Sequence, residues 1–129
     1  MNHFRIALIF LAGCILLGGC SDTIETRFDT HREAMQRGAF ERGWLPPDLP
    51  KSARNIVERN HLDLNVGTGS FDFDPADAED YLDHLKETFE AEIAGVDSGH
   101  HVALSRGKTS WFIHLPHSGR SATYRVGFQ

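Results

Sequence analysis

The chain has 129 residues, 40% of them hydrophobic, with 13 Lys and Arg against 18 Asp and Glu, a formal charge of −5 with histidines neutral. That length allows one domain with a modest core, and the acidic balance argues against nucleic acid and against electrostatic attraction to anionic lipid. The two cysteines, Cys14 and Cys20, stand near the start, which leaves the rest of the chain without a disulfide, a thiolate metal site or a cysteine nucleophile.

The first element is a leader. A cationic start through Arg5 is followed by an apolar run from Ile6 to Leu17 and then by Leu17-Gly18-Gly19-Cys20. The run is shorter than the roughly 20 residues of a membrane-spanning helix, and its flanks follow the pattern of a removable secretory signal. A leucine, two small residues and a cysteine resemble the lipobox of bacterial lipoproteins. That resemblance implies cleavage between Gly19 and Cys20 and a diacylglycerol with an amide-linked acyl chain on Cys20. It implies no other cofactor. Leu11-Ala12-Gly13-Cys14 fits the same pattern, but it would leave only Ile6 to Leu11 as the apolar region, short of the roughly 7–15 residues expected. Residues 1–19 are therefore read as signal and 20–129 as the mature domain. Two or more acyl chains anchor stably, at about 0.8 kcal/mol per buried methylene. Ser21 after the cysteine resembles the sorting default to the outer membrane, with the domain facing the periplasm.

In the mature part, Ile24, Phe28, His31 and Met35 recur at helical spacing and predict a helix over Thr23–Arg37, closed by Gly38. Gly38 to Pro50 holds three prolines within five residues, Pro46, Pro47 and Pro50, and reads as an extended loop. Trp44 and Leu45 are expected to pin this loop to the core. Val57 to Val66 reads as one strand or two short ones, with Leu62, Leu64 and Val66 on one face and His61, Asp63 and Asn65 on the other. Gly67-Thr68-Gly69 reads as a turn, and Ser70–Asp74 as a short strand with Phe71 and Phe73 on one face. Asp74 as N-cap and Pro75 at the first position open a helix predicted to reach about Ala94, carrying the stripe Tyr81, Leu82, Leu85, Phe89 and Ile93. Three strands complete the chain: His100–Ser105, Ser110–Leu115 and Ser121–Phe128. The fold class that follows is α+β: a single small domain, mainly antiparallel sheet with two helices on one face.

Catalytic chemistry finds little support in the pattern. His100, His114 and His117 are the one candidate metal set, yet no tight ligand spacing brings them to the 2.0–2.1 Å that zinc requires of its nitrogens. Asp72 and Asp74 alternate with phenylalanines as a half-buried strand would, and Asp74 is taken by the helix cap. No serine lies in a nucleophile elbow. Arg42-Gly-Trp44-Leu-Pro46, followed by Leu49-Pro50, Ser52-Ala53, Ile56 and Asn60-His61-Leu62-Asp63, resembles a segment of small bacterial lipoproteins and envelope proteins. The resemblance covers residues 40–73 and implies no activity. Trp44, Leu45 and Pro46 fit a core clamp or an edge presented to a partner. The function expected is thus a non-enzymatic binding or accessory module, held by its lipid next to an envelope protein partner. The alternatives are a periplasmic inhibitor or immunity protein, or a small metal-dependent enzyme using the histidines.

Overall fold

The computed structural model describes residues 22–117 and 120–129. The signal, Cys14, Gly19 and Cys20 lie outside the described residues. Seven strands form the sheet: β1 (Thr23–Thr30), β2 (Arg54–His61), β3 (Val66–Asp72), β4 (Glu92–Val96), β5 (Gly99–Arg106), β6 (Thr109–Pro116) and β7 (Ser121–Phe128). Helix α1 (His31–Gln36) lies between β1 and β2, and α2 (Ala78–Phe89) between β3 and β4, preceded by a 3₁₀ turn at Pro75–Asp77. The strand order is β1-β2-β3-β7-β6-β5-β4, with every neighbouring pair antiparallel. Two meanders, β1-β2-β3 and β4-β5-β6-β7, are therefore joined along β3 and β7, in register from Val66↔Gly127 to Asp72↔Ser121.

Both helices and the 38–53 loop cover one face. Ala34 of α1, Leu45 and Leu49 of the loop, and Tyr81 and Leu85 of α2 share one cluster with Ile56, Phe71, Trp111 and Ile113 of the sheet. Within the loop, Leu45, Pro46, Pro47, Leu49 and Pro50 are buried, which its prolines ease because they have no backbone N–H to satisfy, and the loop is tied to its neighbours. The Tyr81 hydroxyl donates to the Pro47 carbonyl at 3.4 Å, and Ser52 Oγ donates to Asp77 Oδ2 at 2.5 Å. Trp44 stands edge-on to Phe128 at 4.7 Å between centroids. Leu45 and Pro46 are fully buried, so the clamp is what the loop builds, and only Trp44 of that trio keeps part of its surface exposed.

The α+β class, the presence of two helices and the last three strands follow the sequence expectation, the strands to within one residue at each end, while both helices are shorter than expected. Four local expectations are corrected. Thr23–Thr30 is strand and only His31–Gln36 is helix, because Ile24, Thr26 and Phe28 also alternate with Glu25, Arg27 and Asp29. The threonine-rich composition favours that period-2 reading. Leu62–Asn65 is the tip of a β2–β3 hairpin, leaving Leu64 69% exposed. Gly67 and Gly69 lie inside β3. The second helix stops at Phe89, where Glu90 adopts a left-handed conformation at φ 54, and Glu92–Val96 is the edge strand β4.

Candidate functional site

Side chains of a strand alternate between its faces, so the register assigns each residue to the covered or the open face. On the open face, one row runs Arg59–Thr68–Arg125–Phe112–Ala103–Glu92 across β2, β3, β7, β6, β5 and β4. The next runs Ser70–Thr123–His114–His101–Ala94. The twisted sheet curves these rows into a groove of about 920 Å³. Phe112 is its exposed apolar centre, half accessible, with the Arg125 guanidinium 5.7 Å above the ring centroid, within cation–π range. Arg59 is held by Glu25 at 2.8 Å, and that contact, with Arg27 as second partner, lowers the Glu25 carboxyl pKa. Arg125 is the groove's cation without an acidic partner among the described residues.

The histidines separate into two pairs. His101 and His114 are direct cross-strand neighbours on the open face, 4.8 Å apart and nearly perpendicular. His100 shares its face with Leu115 and stacks edge-on with His117 at 5.0 Å, while His117 Nε2 donates to the Val96 carbonyl at 3.1 Å. His100, His114 and His117 thus do not converge, because successive residues of β5 face opposite ways. No group of three His, Cys, Asp or Glu among the described residues is placed to hold a metal ion. His84 of α2 meets Asp48 of the loop at 2.8 Å. Asp72 accepts from Asn55 and Ser121, which lowers its carboxyl pKa.

The covered face holds a feature the sequence reading missed. Glu58 and Asn60 point inward from β2, although both are polar, and are 2% and 6% exposed. Opposite them on β3 stand Gly69 and Gly67, and beyond these Tyr124 and Val126 of β7. The glycines form a trough. A Cβ on Gly69 would strike the Val57 carbonyl and the Tyr124 ring, and one on Gly67 would lie 2.9 Å from Asn60 Oδ1. Glu58 Oε2, Asn60 Oδ1 and the Tyr124 hydroxyl lack hydrogen-bond partners among the described residues. Burial raises the Glu58 pKa above its ordinary value, against the opposing pull of Arg42, the Asn60 amide and Arg37. Burial, with the Glu58 charge adding to it, likewise raises the Tyr124 phenol. Beside Glu58 and Asn60 opens a recess of about 370 Å³, edged by Arg37, Arg42, Trp44, Ile24 and Leu62. Two glycines spaced by two, opposite two inward polar residues spaced by two, are the sequence signal for this trough. It becomes legible only once β2 and β3 are paired.

The geometry divides the molecule at β3. Residues 22–72 match the family model of the YbbD head domain. That span runs from β1 to the end of β3 and contains every residue that lines the smaller recess. The open groove draws most of its lining from β4 to β7, beyond the match. No curated protein and no solved structure matches the chain. Among the described residues, no helix is long and apolar enough to cross a membrane.

Proposed function

We propose that this chain is a lipid-anchored envelope lipoprotein that works as a non-enzymatic binding or accessory module. Cys20 carries the acyl chains, Gly19 is the last residue removed, and the domain faces the periplasm from the outer membrane. The open groove receives a polypeptide segment of an envelope protein. One observation carries this reading: both helices and the loop pack on one side of the sheet, leaving the other as a groove of about 920 Å³ centred on Phe112. Its volume falls within the roughly 300–1,000 Å³ of binding clefts. An aromatic ring beside an arginine supplies the contact types enriched where proteins meet. Arg125 favours an acidic or carbonyl-rich segment. That speaks for a receptor of acidic segments over an inhibitor that covers a basic target with its own acidic surface. The lipobox supports the anchor, which confines the module beside membrane partners and raises their effective concentration.

A photo-crosslinking residue at Phe112, with Glu87 on α2 as control, tests the groove in native membranes. The expected outcome is one discrete adduct from position 112, none from 87, and loss of that adduct in Arg125→Glu. The same adducts from both positions would discard the groove as the contact surface. For the anchor, Cys20→Ser should move the protein out of the membrane fraction while Cys14→Ser leaves it there.

A further inference from the structure

We propose that the recess beside Glu58 is a binding site for a small zwitterion of the α-amino-acid type. It takes the ammonium at Glu58 and Asn60, the carboxylate at Arg37 and Arg42, and an apolar side chain against Trp44 and Ile24.

Four observations carry this assignment. The first is the unanswered hydrogen-bonding capacity of the inner wall: Glu58 and Asn60 are both more than nine-tenths buried, and Glu58 Oε2 and Asn60 Oδ1 have no partner among the described residues. Leaving a buried acceptor unmatched costs about 1–3 kcal/mol, and an ammonium carries three donors with no acceptor. Second, the outer wall has the opposite sign. Arg42 Nη1 is spent on the Arg37 carbonyl at 2.7 Å, and Arg37 Nη1 on the Arg27 carbonyl at 3.1 Å and Glu33 at 3.3 Å. A guanidinium has five N–H donors, so both retain donors for a carboxylate while their positions are fixed. Third, Trp44 and Ile24 line the recess, and Ile24 is a large apolar side chain left half exposed. Fourth, a recess of about 370 Å³ has room for a ligand of amino-acid size.

The charge layout excludes simpler ligands. A lone cation would meet the two arginines, and a lone anion would bring no donor to the unanswered acceptors Glu58 Oε2 and Asn60 Oδ1. Only a molecule with both charges, separated by a short backbone, answers both walls. The recess opens on the covered face, opposite the groove, so this assignment stands or falls apart from the partner reading above.

The test uses the chain purified in detergent, L-leucine as probe, and two analogues that each lack one charge, N-acetyl-leucine and leucinamide. Leucine is expected to shift the side-chain amide resonances of Asn60 and the indole N–H of Trp44. Each analogue should bind at least about tenfold more weakly. Glu58→Gln, and separately the exposed Arg42→Gln, should each weaken leucine by about tenfold, while Phe112→Ala on the other face leaves it unchanged. Absence of any shift at saturating leucine would overturn the assignment, as would analogues that bind equally well. Full affinity in both variants would overturn it too.

Discussion

Glu58 is the residue whose chemistry most departs from its surroundings, and its consequence is a pH dependence. Burial raises its carboxyl pKa above the ordinary 4.5, so between that value and the folded one the native protein holds a proton that the unfolded chain has released. Stability from this group is present below the unfolded value and is lost as pH rises through the folded value. Glu58→Gln should therefore be at least as stable as the parent at neutral pH. The difference between the two should widen as pH rises from the ordinary carboxyl value through the raised folded one in urea titrations; a difference flat with pH would contradict the burial argument. Gly69 gives a second residue-scale test. Gly69→Ala must push the Val57 backbone or the Tyr124 ring aside, and overpacking of that kind costs about 1–3 kcal/mol. Gly95→Ala on β4 meets nothing within 4 Å and should stay within about 0.5 kcal/mol of the parent. At this scale the sequence was partly opaque. The cap at Asp74, which accepts from the Ala76 amide at 3.1 Å, was readable because its signal is local. The trough was not, because Glu58, Gly69 and Tyr124 become neighbours only through strand pairing.

Among the elements, the junction of β1 and α1 shows how one spacing serves two structures. Ile24 and Phe28 are four apart, an even number that keeps them on one face of a strand as well as one turn along a helix. Thr30 decides where the switch falls. Its hydroxyl accepts from the Glu33 amide at 3.1 Å while Glu33 Oε2 accepts from the Asp29 amide at 2.7 Å, a reciprocal arrangement close to a capping box. Thr30→Ala should cost about 1 kcal/mol, read as a lower denaturation midpoint with unchanged slope. Thr30→Ser should recover most of that loss. The opposite error occurred at Glu92–Val96. Ile93 continues the apolar stripe of α2, and the stop is made by Glu90 in a left-handed conformation with its amide bonded to the Leu85 carbonyl. Glycine usually takes that role, so composition gave no warning of the break.

For the molecule as a whole, the β3–β7 seam is the long-range commitment of the fold, since it joins residues 49 to 61 positions apart. The core of both meanders is one cluster, so the halves should unfold together although the family match covers only the first. The two tryptophans make this measurable. Trp111 is buried in β6, and Trp44 caps Phe128 from the loop. In Trp44→Phe and in Trp111→Phe, the remaining fluorescence should change at the same denaturant concentration as the circular dichroism of that variant. Separate transitions would mean that the meanders melt independently. Class and strand count in the last third were legible from alternation. The order of the sheet was not, because hydrophobic pattern fixes which face a strand buries and says nothing of which strand lies beside it. The outermost strand has one more consequence. β4 carries Glu92 as its single charge, with neither lysine nor proline along Glu92–Val96, and among the described residues no strand pairs with its outer edge. Glu92 is its one charge against an incoming chain, and residues 93–96 carry none. On a crowded surface such an edge offers a second copy a place to add its own β4, a contact that closes on two copies and that a lysine at Ala94 should weaken.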